Sequence, residues 1–514
     1  MNIQRKKGVT VKMADNKEKQ TKGYKPLWII IAFLVLIIIN LLPAPEALGT
    51  VGLRALSVLA FAVIMWVTEA VKYPVSAVMI VGLLIILLGL SPVPANEVGA
   101  TLGVPDGTDQ FGTSNALSLA FSGFSSSALA LVAAALFLAS AMQITNLHKR
   151  LALYVLRIVG NKTNAIVLGT ILVSILLAFF VPSATARAGA VIPILIGMVA
   201  AFGMSKDSRL ATLLIVTAVQ AVSIWNVGIK TAAAQNLVAV GFINEAMGQD
   251  VSWIQWFIYA APFSIIMSIL LYFVMTRFFK AETDEISGGR ELIDNELAEL
   301  GPIKPVEWRL IIIASLLLIF WATEGILHPF DSSSITLIAL ALMLSPKIGV
   351  FTWKEVEGTI NWGTIIVFAI GISLGTVLLR TGAAQWLSDV TFGAMGLDAL
   401  PLVGVIALVA IFNIIIHLGF ASATSLASAL IPVFIALTTT LNMGDSSLGF
   451  VLIQQFVICF GFLLPVSAPQ NMLAYGTGTF TVNDLLKSGI FLTVGGYILI
   501  IILSATYWQW IGLL

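Results

Sequence analysis

Apolar runs of about twenty residues, separated by short polar connections, recur along the chain from residue 27 onward. A run of this length spans the hydrocarbon core of a bilayer as one helix. The runs contain Gly and Pro, which membrane helices tolerate, and they lack the alternation of a transmembrane β-barrel. The pattern predicts an all-α polytopic membrane protein with about eleven transmembrane helices, near 27–42, 53–71, 75–91, 125–146, 211–242, 253–276, 309–327, 332–346, 361–380, 449–475 and 489–510.

Two other apolar stretches, 164–203 and 400–440, are each interrupted in the middle by a short polar segment. Non-helical backbone at membrane depth is tolerated only against protein or a water-filled cavity. We therefore expect two re-entrant hairpins, each of which enters the membrane and returns to the same side. Their positions in the predicted topology make 164–203 the inner hairpin and 400–440 the outer hairpin.

Composition supports a membrane location and limits the chemistry. Hydrophobic residues make up 59% of the chain and charged residues only 10%, whereas about a quarter of the residues in soluble domains are charged. The single cysteine, Cys459, excludes an intrachain disulfide. No zinc-protease, serine-hydrolase or Walker motif is present. We expect no enzyme activity, cofactor, bound metal or nucleic-acid partner.

The distribution of basic residues predicts the orientation. With the tail 1–26 in the cytoplasm, all but four of the 27 Lys and Arg residues fall on the cytoplasmic side, as the positive-inside rule requires. Arg54 and Arg380 fall outside, and Arg187 and Lys230 fall within the membrane. The first apolar run lacks a cleavage site and is predicted to remain as a transmembrane helix within 27–50. We expect a multi-pass protein of the plasma (inner) membrane, surrounded by lipid, with a cytoplasmic N-terminus and an external C-terminus.

Several short sequence motifs, called words below, occur twice along the chain in the same order, which indicates an internal repeat. We predict one repeat over 51–280 and a second over 307–514, joined by an acidic cytoplasmic linker, 281–306, that forms a solvated connector or surface helix. Because each unit has an odd number of passes, the second repeat is predicted to be inverted, and such folds bind substrate where the repeats meet. The paired words are Trp66-Val-Thr-Glu69 with Trp321-Ala-Thr-Glu324, Ser183-Ala-Thr185 with Ser422-Ala-Thr424, and Gln235-Asn236 with Gln470-Asn471.

The hairpin tips hold the first group of candidate binding residues. Small and hydroxyl side chains at a helix N-terminus let an anion approach backbone amides. The first tip also carries a full positive charge, whereas the second has a histidine five residues before its first serine. The candidates are Ser183, Ala184, Thr185 and Arg187 at the first tip, and His417, Ser422, Ala423 and Thr424 at the second.

A helix with a polar interruption follows each hairpin and holds the second group. Pro465 and Pro469 cannot donate backbone hydrogen bonds, so the second of these helices is predicted to unwind and expose its carbonyls and amides. The candidates are Asn226, Lys230 and Asn236 in the first broken helix, with Ser467 and Asn471 in the second.

Arg187 and Lys230 are ionisable residues at membrane depth with few acidic residues to pair with. Such residues are expensive to insert and usually functional. Two fixed cations favour a dianionic substrate. They also favour exchange, because an empty charged site would cross the low-dielectric barrier less readily than a neutralised one.

At these residues the chain resembles the divalent anion/sodium symporter family, whose hairpin tips carry Ser-Asn-Thr motifs. Ala184 and Ala423 stand where that motif has asparagines that help to bind sodium and substrate. The run Thr185-Ala-Arg187-Ala-Gly189 is similar to the exchanger branch, which includes plastid oxoglutarate/malate translocators and bacterial citrate/succinate and tartrate/succinate antiporters. The resemblance implies an elevator motion against a homodimeric scaffold.

The predicted function is sodium-independent exchange of C4–C5 dicarboxylates such as succinate, malate, fumarate and 2-oxoglutarate for a counter-substrate. Two alternatives stay open. One is a sodium-coupled symporter of di- or tricarboxylates, in which backbone carbonyls replace the missing asparagines. The other, from a different class, is an anion channel, since inverted repeats occur in channels too.

Overall fold

The computed structural model describes residues 25–92, 110–201, 203–285 and 289–514, and they form helices and connections without a β-strand. The helices span Pro26–Leu41, Gly49–Thr68, Tyr73–Gly89, Thr113–Ala120, Ser127–Ile144, Leu147–Val159, Thr163–Phe180, Ala184–Ala201, Arg209–Gly228, Ala234–Met247, Trp253–Phe278, Gly289–Leu300, Pro305–Thr323, Ser332–Leu344, Trp353–Val356, Trp362–Arg380, Ala383–Phe392, Leu402–His417, Ala423–Thr440, Ser447–Ile458, Pro469–Tyr475, Val482–Ala505 and Tyr507–Trp510.

Within the described ranges, ten helices are long and apolar enough to cross a membrane, and four more are apolar but shorter. The predicted all-α polytopic membrane fold is therefore confirmed. Every predicted pass coincides with a helix, and the passes 211–242 and 449–475 each consist of two helices separated by a break. The first of these passes, predicted near 27–42, is the helix Pro26–Leu41, and the next helix begins at Gly49.

Local sequence explains where many of these helices begin. Ser208 and Ser252 accept hydrogen bonds from backbone N–H groups of the first turn that follows them, which satisfies donors that a helix N-terminus otherwise leaves unpaired. Pro305 and Pro469 occupy first helical positions, where proline loses no hydrogen bond. Caps of this kind fix the residue at which each long apolar helix begins, because an apolar sequence alone would allow several starting points.

The two halves of the chain repeat one succession of helices, from Gly49–Thr68 to Trp253–Phe278 and from Pro305–Thr323 to Val482–Ala505. The first helix of each half ends at its Trp-x-Thr-Glu word. In the second half, Glu324 accepts hydrogen bonds from the backbone N–H groups of Ser332 at 2.9 Å and Trp253 at 3.1 Å. This carboxylate thus caps two helix starts.

Each half also contains two helices joined by a short tip, which we call a hairpin with two arms, followed by a broken helix. The first arm of each hairpin packs on the broken helix of its own half. The second arms cross over: Ala184–Ala201 packs on Pro469–Tyr475, and Ala423–Thr440 packs on Ala234–Met247. The hairpins and broken helices of both halves therefore form one interlocked unit.

The predicted linker contains the helix Gly289–Leu300, which is docked on the protein surface. Its Asp294 and Glu296 form ion pairs at 2.7 and 2.5 Å with Arg157 and Lys149 of the helix Leu147–Val159. Ile293 of the linker is buried. The described part of the linker therefore contains a bound surface helix, which is one of the two forms expected for this segment. The predicted tail, 1–26, lies outside the described residues except for its last two.

Candidate functional site

The two hairpin tips are built in the same way. At the first tip the hydroxyl of Ser183 accepts a hydrogen bond from the backbone N–H of Ala186, at 3.2 Å. At the second tip Ser422 accepts from the backbone N–H of Ser425, also at 3.2 Å. Each serine therefore caps the second arm of its hairpin, and the positive end of that helix points at the tip.

The other hydroxyl and small residues of the tips lie within this framework. Ala184 and Ala423 are the first helical residues of the second arms. Thr185 lines a cleft beside the first tip, and the carbonyl of Thr424 accepts a hydrogen bond from Ser428. The repeated Ser-Ala-Thr words thus mark equivalent helix starts in the two halves.

The breaks in the two broken helices are also equivalent. The first lies between Gly228 and Ala234 and the second between Ile458 and Pro469, and each contains one 3₁₀ turn. Residues in such breaks leave backbone carbonyls without helical partners, and these must be satisfied when they are buried.

One asparagine closes each break. The side-chain amide of Asn236 donates to the carbonyls of Asn226, at 2.7 Å, and Ile229, at 3.1 Å. Asn471 donates to the carbonyls of Gly461, at 2.7 Å, and Leu464, at 3.3 Å. In both halves the two acceptors lie ten and seven residues before the asparagine. Both asparagines are fully buried. They hold the unwound segments in shape, and their predicted contact with substrate stays a prediction.

Arg187 reaches from the first hairpin into the first break. Its guanidinium donates to the side-chain oxygen of Asn226 and to the carbonyl of Ala232, the latter at 3.0 Å. The side chain is completely buried, and its Nε and Nη1 have no hydrogen-bond partner in the described parts of the chain. No carboxylate pairs with it there. A buried cation with unused donors is costly unless an anion compensates it.

His417 makes the corresponding contact in the second half. Its Nε2 lies 3.3 Å from the carbonyl of Ser467, and a carbonyl can only accept, so Nε2 carries the hydrogen. Ser467 precedes Asn471 by four residues, just as Ala232 precedes Asn236. Cationic or polar donors from the two hairpins therefore contact equivalent carbonyls of the two breaks. The Nδ1 of His417 has no partner among the described residues.

A buried polar cluster joins the two breaks. The side-chain oxygen of Asn236 accepts from Gln455 at 3.1 Å and from the thiol of Cys459 at 3.3 Å. The amide of Gln235 lies 3.6 Å from the same sulfur. Gln455 and Cys459 were not among the predicted site residues. The sequence feature that could have identified Gln455 is its polar side chain within the long apolar run 449–475.

A cleft of about 520 Å³ lies between the first tip and the helix Ser127–Ile144. Ser183, Thr185 and Gly189 line it from the hairpin side, and Gln143 and Asn361 line it from the opposite side. A cleft of this size holds a small molecule of several carbon atoms. Arg187 is completely buried and is not among the residues that line this cleft.

Lys230 is buried in the first break, but its amine points away from Arg187. The Nζ donates to the carbonyl of Val251 at 2.5 Å. The carboxylates of Glu324, Asp250 and Asp331 act on this amine electrostatically. The geometry therefore favours a role in holding the break against the connection that precedes the helix Trp253–Phe278.

We expect Lys230→Met to lower the amount of folded protein while leaving the apparent affinity for a dicarboxylate nearly unchanged. Methionine keeps the volume but loses the hydrogen bond to Val251, which is worth roughly 1.5–3 kcal/mol for a charged donor. Concentration dependence of uptake, normalised to monodisperse protein, measures this. A KM at least tenfold higher than that of the unmodified protein would instead assign Lys230 to direct substrate contact.

Comparison with known proteins identifies the relatives of this chain. The family model for the sodium:sulfate symporter transmembrane region matches residues 24–514. A membrane protein of Cupriavidus necator is 46% identical over 94% of this chain and 92% of its own. The sodium-dependent dicarboxylate transporter SdcS of Staphylococcus saprophyticus is 25% identical, over 95% and 92%. The L-tartrate/succinate antiporter of Escherichia coli is 28% identical, over 93% and 96%.

The helical membrane fold, the paired hairpins and the paired broken helices are typical of membrane transport proteins. The match over nearly the whole chain identifies it further: it belongs to the sodium:sulfate symporter family, a family of membrane transporters. Its members include dicarboxylate transporters of both the sodium-dependent and the antiporter kind. The resemblance inferred from the hairpin-tip motifs is therefore confirmed.

Proposed function

We propose that this chain exchanges C4–C5 dicarboxylates, such as succinate, malate, fumarate and 2-oxoglutarate, across the plasma membrane without sodium. The observation that carries the proposal is the buried guanidinium of Arg187, which contacts the carbonyl of Ala232 in the first break and keeps two donors unused. Its counterpart is His417 on the equivalent carbonyl of the second break. A carboxylate of the substrate would pair with the two unused donors of Arg187.

Fixed charge in the site explains why exchange would be obligatory. An unpaired guanidinium in a low-dielectric environment carries a large desolvation penalty, and a bound dianion relieves it. In this proposal the empty site crosses the membrane far more slowly than the loaded one, so every outward passage returns with a counter-substrate. Sodium has no role, because Arg187 provides the positive charge that a bound cation would otherwise bring.

The movement proposed for this exchange is that of an elevator. The two hairpins and two broken helices interlock through the crossed packing of their second arms, which favours their moving together as one body. The proposal also includes re-entrant hairpins, an inverted second repeat, a cytoplasmic N-terminus with an external C-terminus, and a homodimeric scaffold. The positive-inside charge distribution and the odd number of membrane passes predicted for each half support the orientation.

A sodium-coupled symporter is the second candidate within the same family. The side-chain oxygen of Asn471 is buried without a partner among the described residues, and an unpaired oxygen beside exposed carbonyls is a possible cation ligand. A sodium-dependent dicarboxylate transporter is also among the relatives. An anion channel is the candidate from another class, and saturable uptake stimulated by internal substrate would exclude it.

Uptake of labelled succinate into proteoliposomes separates these candidates. Vesicles loaded with succinate, with 2-oxoglutarate or with buffer alone are assayed with sodium and with potassium. We expect rapid uptake only into dicarboxylate-loaded vesicles, with the same rate in either salt. Rapid uptake into empty vesicles under a sodium gradient would contradict the exchange proposal and favour the symporter. Rapid, non-saturable uptake into empty vesicles in either salt would favour the channel.

A further inference from the structure

A second cleft, of about 630 Å³, lies away from the hairpin tips. It forms where the helix Arg209–Gly228 begins, the helix Trp253–Phe278 ends and the helix Val482–Ala505 begins. In the orientation proposed above, this is the cytoplasmic membrane surface. We call it the basic cleft because four cationic side chains line it, against two carboxylates, and the six charged residues are Asp207, Arg209, Arg277, Lys280, Asp484 and Lys487.

The carboxylates near this cleft already have partners within their own loops. Asp484 accepts hydrogen bonds from the backbone N–H and the hydroxyl of Thr481, at 2.9 and 2.7 Å. Asp207 is hydrogen-bonded to the hydroxyl of Ser205. The nearest additional carboxylate, Glu282, accepts from the backbone N–H groups of Arg209 and Leu210 at 2.7 and 3.0 Å.

Glu282 is charged and therefore offsets part of the basic character. Partial burial acts to raise the pKa of this carboxyl, but the backbone N–H donors outweigh it and lower the pKa below its ordinary value. Even with Glu282 counted, cations outnumber carboxylates around the cleft. In the described ranges Arg277 and Lys280 form no ion pair within 4.0 Å. The Nζ of Lys487 and the Oδ1 of Asp484 are 3.9 Å apart, which is a long ion pair.

An apolar face continues from the basic cleft along the same two helices. Phe278 and Phe491 stack with ring centroids 4.6 Å apart, yet they remain 60% and 43% exposed. Phe273, Ile490 and Val494 extend this exposed surface further into the membrane-spanning part of the helices. A cationic cleft at the membrane surface directly above exposed aromatic and aliphatic side chains has the polarity of a single phospholipid molecule.

We propose that the basic cleft binds the phosphate-bearing headgroup of an anionic phospholipid, with its acyl chains on the face formed by Phe278 and Phe491. The chemistry that is recognised is a phosphodiester monoanion held by Arg277, Lys280 and Lys487. Clusters of Lys and Arg at the cytoplasmic ends of membrane helices recognise such headgroups. A free phosphate would satisfy the cations but would leave the apolar face without a partner.

Native mass spectrometry and thermal unfolding of the full-length protein test this site. Purified protein is incubated with phosphatidylglycerol or phosphatidylcholine, and we expect selective retention of phosphatidylglycerol together with a higher Tm. The double variant Arg277→Gln/Lys487→Gln should retain that lipid roughly thirty-fold less, at about a fivefold loss for each cation. The matched control Lys72→Gln/Lys354→Gln removes two exposed surface cations elsewhere and should bind as the unmodified protein does.

Several outcomes would overturn the site. Equal retention of the two lipids by the unmodified protein would do so without any variant. Monodisperse Arg277→Gln/Lys487→Gln that retains as much phosphatidylglycerol as the unmodified protein would also overturn it. The same holds if the control variant loses as much phosphatidylglycerol as Arg277→Gln/Lys487→Gln. A Tm increase of the same size with glycerol phosphate in place of lipid would assign the cleft to a free phosphate. Because no transport is measured, failure here is distinguishable from failure of the exchange proposal.

Discussion

Arg187→Met is expected to reduce dicarboxylate exchange by about two orders of magnitude while the protein still folds. Methionine fills much of the same volume and removes a buried charge, so the packing of the first hairpin should survive. The substrate loses charge-assisted hydrogen bonds, each of which is worth roughly 1.5–3 kcal/mol, and a loss of about 2.7 kcal/mol corresponds to a hundredfold change. The measurement is the initial rate of labelled succinate uptake into succinate-loaded proteoliposomes.

The control for this variant is Arg157→Met. Arg157 is about half exposed and pairs with Asp294 of the linker, so its loss should leave the exchange rate within a factor of two. Exposed ion pairs contribute little, about 0–1 kcal/mol. If Arg187→Met exchanged succinate as fast as Arg157→Met, the guanidinium would have no part in binding the dianion, and the fixed-cation mechanism would fail.

The second large effect is on stability and arises at the junction of the two halves. Arg150 and Glu307 form an ion pair at 3.2 Å, and both side chains are almost completely buried. The guanidinium of Arg150 also donates to the carbonyl of Gly301 at 2.9 Å. Removing one partner of a buried pair leaves an uncompensated charge and typically costs about 3–5 kcal/mol. We expect Glu307→Leu to lower the free energy of unfolding by that amount.

Thermal unfolding of purified protein followed by tryptophan fluorescence measures this loss. The double variant Arg150→Met/Glu307→Leu should recover most of it, because replacing both charges by apolar groups removes the desolvation penalty. Breaking the exposed pair with Asp294→Asn should cost less than about 1 kcal/mol. Equal Tm values for Glu307→Leu and Asp294→Asn would show that the buried pair contributes no more than a surface one.

The positions of the tips and breaks were predictable from the sequence because repeated words mark them. Ser183 and Ser422 are N-caps, and Asn236 and Asn471 bridge the breaks; both functions depend on local spacing, which the sequence displays directly. The lengths of the membrane helices were also predictable, because the thickness of the hydrocarbon core fixes them. The serines of the tips and the asparagines of the breaks make equivalent hydrogen bonds in the two halves.

The direction of long side chains was not predictable in the same way. Arg187 and Lys230 both occur at membrane depth, but only the structure shows that the first contacts the break and the second contacts Val251. Rotation about the helix axis and tertiary packing decide this, and neither is encoded by the spacing of two charges. The docking of the linker likewise depends on ion pairs with a helix more than a hundred residues earlier.

The crossed packing of the hairpin arms also sets an order for biosynthesis. The arm Ala184–Ala201 reaches its final partner only when residues 469–475 have left the ribosome, because that partner lies near the end of the chain. Until then Arg187 and the carbonyls of the first break lie in the membrane without the neighbouring residues that the second half provides. The nascent first half is therefore an insertion intermediate, and the helix Pro469–Tyr475 completes its surroundings late in synthesis.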